Sequence, residues 1–349
     1  MKAALIQKHG GPEELALGEL PDPKPRPNEV VVAVKACALN HLDIWVRQGM
    51  PGVTLPMPHV LGSDICGVVE AVGPEVKDRK AGDLVVLAPG VGCRVCEACL
   101  AGKESLCDRY QIHGFQRAGG YAEKIAVDER DAMPVSKRLS AVEWAAVPLV
   151  FLTAWHMLVT RAKLQADETV LVHAAGSGIG SAAIQIAKYL GARVITTAST
   201  EAKLGKAKSL GADEGINYSK EPAFSKAVMD LTSGRGADVV FEHIGPATFA
   251  ESVASLRKEG RLVFCGATSG AQVSLDLRPA YMKQISIFGS FMGGRGELLH
   301  VLKLIENGCL RPVVDSTFSL ENAREAHEKM LSRDVFGKIV LQILERRRA

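Results

Sequence analysis

Aromatic side chains are scarce in this 349-residue chain, at 5% of positions, and it has no apolar run long enough to cross a bilayer. The most apolar stretch, WAAVPLVFLTAW, is short and interrupted by Pro148. Charge of one sign is missing too: 42 Lys and Arg stand against 39 Asp and Glu, for a net charge of +3. With no long basic tract, nucleic acid is not the expected partner, and the ERRRA end reads as a short solvated tail. The opening MKAALIQKHG reads as a first strand and lacks the apolar core of a secretory signal. These absences predict a cytoplasmic protein with no membrane partner.

What is present fits a two-domain α/β protein. The length exceeds one ordinary domain, 47% of residues are hydrophobic, and 34 glycines suit tight turns between strands and helices. Four of the eight cysteines, Cys93, Cys96, Cys99 and Cys107, fall within GCRVCEACLAGKESLC. In a reducing compartment such a cluster favours a metal over disulfides. A CxxC redox pair is the rival reading, and it leaves Cys99 and Cys107 without a role.

The first ~140 residues read as short strands: EVVVAVKACAL, DICGVVEAVG and GDLVVLAP are β-branched runs closed by Gly or Pro. PDPKPRPNE before them is a stiff extended connection. From about Leu149 the pattern becomes strand, glycine turn, helix, strand, and further strands follow at ADVVFEHIG, GRLVFCGATSG and ISIFGS. That alternation predicts a doubly wound parallel sheet. Beyond about Arg295, ELLHVLKLIENG and ENAREAHEKML read as helices and GKIVLQIL as a closing strand.

The turn Ala175-Gly176-Ser177-Gly178-Ile179-Gly180, set between a buried strand and a helix, predicts a pyrophosphate cradle of backbone N–H groups. Counted from Gly176, the sixth position of G-x-G-x-x-G is Ser181, so the match rests on the complete βαβ context. An acid at the end of the second strand would accept a ribose 2′-hydroxyl and repel a 2′-phosphate. That strand instead ends in Ala198, Ser199 and Thr200, with Lys203 one turn on, while Glu201 belongs to the helix start, where the dipole favours an acid. NADPH is therefore expected over NADH.

GSDICGVVEAVG, the four-cysteine lobe, GGYAE, AAVPLVFLTAW, AAGSGIG and FGKIVL together resemble the medium-chain dehydrogenase/reductase superfamily over essentially the whole chain. The resemblance implies a GroES-like β-rich catalytic domain (residues 1–148, with a zinc lobe at about 90–110), a Rossmann domain (149–294) and a return segment (295–349) completing the first domain. It makes Cys93, Cys96, Cys99 and Cys107 the ligands of one structural Zn2+, a closed site with no position for water or substrate. Thr153, Gly266, Ala267, Thr268, Gly289 and Ser290 join the glycine turn, Ser199, Thr200 and Lys203 as implied cofactor contacts. The ISIFGS strand lies at a sheet edge in such proteins, implying a homodimer or homotetramer.

Alcohol dehydrogenases of this family also bind a catalytic zinc. Asn40, Ser63 and the apolar pair Leu149 and Val150 stand at its three ligand positions, and Leu42 replaces the proton-relay hydroxyl. Cys37 falls out of register, while an atypical site built from His41, Asp43, His59 and Asp64 is a rival reading. The pattern resembles the zinc-independent quinone oxidoreductases and enoyl reductases, which implies NADPH-dependent hydride transfer to a quinone or α,β-unsaturated carbonyl. Asn40 is the candidate hydrogen-bond donor and His41 the candidate proton donor or cofactor contact. A turn-forming asparagine and a satisfied surface histidine are the alternatives for these two residues. An alcohol dehydrogenase with atypical metal ligands and a non-catalytic NADPH-binding protein remain rival functions.

Overall fold

The computed structural model describes residues 1–343, so the ERRRA tail lies outside the described residues. The chain forms two compact units, Met1–Leu149 with the segment from Gly294 in one and Val150–Gly293 in the other. No helix among the described residues is long and apolar enough to cross a membrane.

The first unit is built on a seven-stranded sheet whose centre is Glu29–Ala38. Asp64–Val72 pairs antiparallel on one side of it and Lys338–Gln342 antiparallel on the other, while Lys124–Asp128 pairs with its first half. The closing strand returns from the far end of the sequence, because only two-sided pairing satisfies the backbone of so apolar a central strand. Register decides what meets at its end. Ala38 lies opposite Asp64 on one flank and opposite Val340 on the other, and Leu39 donates its N–H to the Ile339 carbonyl. The strand that delivers Asn40 therefore ends where those of Asp64 and Lys338 begin. Pro23–Pro27 has no regular structure, as its prolines require.

The second unit is a six-stranded parallel sheet in the order Glu214–Asn217, Arg193–Ala198, Thr169–Val172, Ala237–Glu242, Leu256–Phe264, Ser286–Gly289. The order reverses about Thr169–Val172, the first strand in sequence, which is where such sheets bind ligands at their carboxyl ends. Leu171, Ile195, Val240 and Leu262 pack with helical Phe224, Val228 and Phe249 into one core. The fold is thus α/β: a GroES-like β-rich unit and a Rossmann unit.

Candidate active site

Asn40 caps the helix His41–Gln48 and is buried. Its backbone N–H is taken by the carboxylate of Asp43 at 2.8 Å, which leaves the side chain for other partners. Asn40 Nδ2 donates to Asp64 Oδ2 at 2.9 Å, and Lys338 Nζ donates to both Asn40 Oδ1 at 2.6 Å and Asp64 Oδ2 at 2.9 Å. The other Asp64 oxygen accepts the Leu149 N–H at 2.7 Å. Lys338 is only 4% exposed and Asp64 is fully buried, so the two form a desolvated ion pair held in place by further hydrogen bonds. The three positions where the family's catalytic zinc takes its ligands, Asn40, Ser63 and the apolar pair Leu149 and Val150, carry no side chain that ordinarily binds zinc. Ser63 donates its hydroxyl to the His113 carbonyl at 2.6 Å, and Leu149 contributes a backbone N–H. This donor set does not fit a zinc ion.

Asp43 forms a second buried node. It accepts from Asn40 and Gly62 backbone N–H groups and, at 3.2 Å, from the Tyr121 hydroxyl. Burial pushes its carboxyl up to about 6, against these donors and the Lys338 charge. His59 contacts the Gly114 carbonyl through Nε2 at 3.2 Å, so the residues considered for an atypical metal site are engaged separately. His41, the first residue of its helix, stacks edge-on against Trp45 with ring centroids 5.0 Å apart. Desolvation first, and Arg333 second, hold its imidazole below the usual value. No hydrogen bond among the described residues ties it to the Asn40 group.

The structure does bring Cys93, Cys96, Cys99 and Cys107 together, with all four sulfurs within 4.8 Å of one another. Cys93 and Cys99 sulfurs lie 4.0 Å apart, too far for a disulfide and close to the ~3.8 Å that tetrahedral ligation at a Zn–S distance of about 2.3 Å requires. Backbone N–H groups of Cys93, Cys96 and Arg109 point at these sulfurs at 3.4 Å, as thiolates need. Hydrogen bonding, led by the Val95 N–H, pulls the Cys93 thiol down to about 5, while desolvation and its neighbours push Cys99 up to about 12. A divalent cation would relieve that conflict. The cluster fits a zinc ion, and it is the one such His/Cys/Asp/Glu group among the described residues.

In the second unit the turn after Thr169–Val172 has Ala174 at φ +47 and Ser177 as helix cap, its hydroxyl accepting the Gly180 N–H at 2.9 Å. A side chain at Gly180 would meet the Ala174 carbonyl oxygen at 2.4 Å, so glycine is required for the helix to approach this closely. Gly178–Tyr189 is a twelve-residue helix, and the first-turn N–H groups that Ser177 does not cap, those of Gly178 and Ile179, have no intrahelical partner and form the cradle an anion needs. Thr153 Oγ1 and Ser290 Oγ are buried without any protein partner, the mark of side chains waiting for a ligand. Of the other expected contacts, Thr268 donates to the His243 carbonyl at 3.0 Å, and Gly266 takes φ +68 just after its strand. Thr200 serves first as a helix cap, accepting the Lys203 N–H at 3.2 Å. Glu201 turns to Asn217 Nδ2 and Lys220 Nζ, at 2.8 and 2.9 Å, rather than standing in for the missing ribose acid. These residues fit a pyridine dinucleotide.

Sequence reasoning missed Lys338, along with the Tyr121, His327 and Arg47 chain behind Asp43. For Lys338 the signal was available: a single cation inside the apolar run FGKIVLQIL demands a buried counter-charge.

Residues 26–137 match the alcohol dehydrogenase GroES-like domain and residues 178–307 the zinc-binding dehydrogenase domain. A NAD-dependent alcohol dehydrogenase of Sulfurisphaera tokodaii is 33% identical over 98% of this chain and 99% of its own. An acryloyl-coenzyme A reductase of the same organism is 31% identical over 98% of this chain and 100% of its own. A crystal structure of a NAD-dependent alcohol dehydrogenase, 48% identical, superposes with a TM-score of 0.96 over 99% of this chain and 100% of that one. On fold, motifs and these relatives together, the chain belongs to the medium-chain dehydrogenase/reductase superfamily and is an oxidoreductase.

Proposed function

We propose that this oxidoreductase uses NADPH to reduce a quinone or an α,β-unsaturated carbonyl without a catalytic zinc. The observation that carries this reading is the Asn40–Asp64–Lys338 cluster, in which the residue at the first metal-ligand position is instead hydrogen-bonded to a buried ion pair. When bound, the nicotinamide supplies a hydride. A plain ketone would concentrate the arriving charge on one oxygen and needs a Lewis acid, whereas a conjugated acceptor spreads it and can be served by hydrogen-bond donors. Asn40 is the donor to the acceptor's oxygen, and solvent or His41 supplies the proton. The relative named an acryloyl-coenzyme A reductase supports reduction of a conjugated carbonyl.

The preference for NADPH rests on the end of Arg193–Ala198, where Ala198 and Ser199 replace an acid and Glu201 is committed to Lys220. One Zn2+ per chain in the four-cysteine lobe completes the cofactor set. We also propose a homodimer or homotetramer whose subunits pair along Ser286–Gly289, an edge strand that follows exposed Leu277, Tyr281 and Met282, each about two-thirds exposed. Light scattering in solution tests it, and a strictly monomeric protein removes it.

The deciding experiment is an NADPH-oxidation screen over quinones, enones, enoyl thioesters and aldehydes, with zinc content measured in parallel. The names of the alcohol dehydrogenase relatives favour a second reading. Oxidation of ethanol or 2-propanol that disappears on mild chelation would establish it and remove the first.

A further inference from the structure

We propose that Lys338 is a positioning residue that fixes Asn40 as a hydrogen-bond donor, so that the second N–H of its amide is the one offered to the acceptor's oxygen. This rests on the conjugated-carbonyl reading above. The chemistry of the three groups leaves one arrangement. An ammonium can only donate and a carboxylate only accept, so Asn40 Oδ1 must face Lys338 and Nδ2 must face Asp64, at 2.6 and 2.9 Å. A flipped amide would set N–H against N–H on one side and oxygen against oxygen on the other.

Nor can the carboxylate turn away. One Asp64 oxygen holds the Leu149 N–H at 2.7 Å, and the other accepts both Lys338 and Asn40. Each Nδ2 carries two hydrogens, and Asp64 uses one. The ammonium also polarises the amide through its oxygen, which strengthens the remaining N–H as a donor in this desolvated site. Lys338 Nζ is already engaged by Asn40 Oδ1 and Asp64 Oδ2, so it acts through Asn40. The strand register that sets Val340 opposite Ala38 keeps the group assembled.

The test compares the unmodified enzyme with Lys338→Met, Lys338→Gln and Lys338→Arg, using 2-cyclohexenone and 1,4-benzoquinone as acceptors. Lys338→Met should lower kcat at least tenfold with little change in KM or in NADPH affinity, and Lys338→Arg, which still only donates, should restore part of it. Side-chain amide resonances of Asn40 provide a readout independent of turnover: two inequivalent, slowly exchanging protons in the unmodified protein, merged or faster-exchanging in the Met variant. Should Lys338→Met not fold, the Gln variant, which can both donate and accept, should show the same changes at smaller size. A folded Met or Gln variant with unchanged kcat and an unchanged Asn40 amide overturns the assignment. If the unmodified enzyme reduces neither acceptor, the substrate reading fails by itself, and the amide resonances still decide the role of Lys338.

Discussion

Arg47 donates its Nε–H to Nδ1 of His327 at 3.3 Å, across a sequence separation of 280 residues. That single contact sets the direction of a buried chain. A guanidinium cannot accept, so Nδ1 carries the lone pair and Nε2 the proton. Nε2 meets the Tyr121 hydroxyl at 3.3 Å, and the hydroxyl in turn donates to Asp43 at 3.2 Å. Two neutral side chains thus link a buried cation to the carboxylate that holds the Asn40 and Gly62 backbone N–H groups. His327→Phe and Tyr121→Phe should each cost about 1–3 kcal/mol by leaving a buried partner unsatisfied. The double variant should cost clearly less than their sum. Denaturant midpoints check this, and strict additivity would show that no chain operates.

Three buried histidines should make the protein acid-sensitive. Desolvation lowers His113 and His173 to about 4 and His327 to about 3, all from 6.5. Each folded-state value lies below the unfolded one, so the unfolded chain binds more protons between them. Stability is therefore full above about 6.5 and is lost as pH falls toward 4. Asp43 opposes this, since its carboxyl, raised from 3.8 to about 6, favours the fold in its protonated form. Three groups outweigh one. Unfolding free energy measured from pH 7 to 4 should fall, with net proton uptake on unfolding, and a flat profile would contradict the assignment.

Much of the fold was legible because periodicity and turn chemistry are local. Glycines and β-branched runs announced the parallel sheet around Thr169–Val172, and the cysteine spacing announced the lobe. The active-site cluster was only half legible. Asn40 stood out by family register, but its partner Lys338 lies 298 residues away and meets it only through the pairing of Lys338–Gln342 with Glu29–Ala38. Strand register over that distance leaves no local trace. For His41 the sequence position suggested chemistry, but its surroundings left no local trace: an edge-on contact with Trp45, and burial with Arg333 holding the imidazole below its usual value.

One zinc ion per chain is expected, bound by Cys93, Cys96, Cys99 and Cys107. Metal binding and folding of this lobe are coupled, so single Cys→Ser changes should reduce thermal stability and metal content together while altering kcat less. Elemental analysis finding two zincs, or none with all four thiols titrating free, would refute the assignment.

Cofactor preference should be reversible at one position. Ala198 ends its strand buried beside Asn217, and Ser199 and Thr200 follow without a carboxylate. Glu201 is engaged by Asn217 and Lys220, which also keep its carboxyl below its usual value. A 2′-phosphate therefore meets hydroxyls and Lys203 rather than an anion. Ala198→Asp would place a negative charge there, repelling the phosphate and offering an acceptor to a free 2′-hydroxyl. Two like charges within ~4 Å near a protein surface repel by a few kcal/mol at most, so a loss of tenfold to several hundredfold in NADPH affinity is expected. NADH affinity should rise or hold. Fluorescence titration with both nucleotides decides it: tighter binding of NADH by the unmodified protein would mean that the acid-free strand end does not select the phosphate.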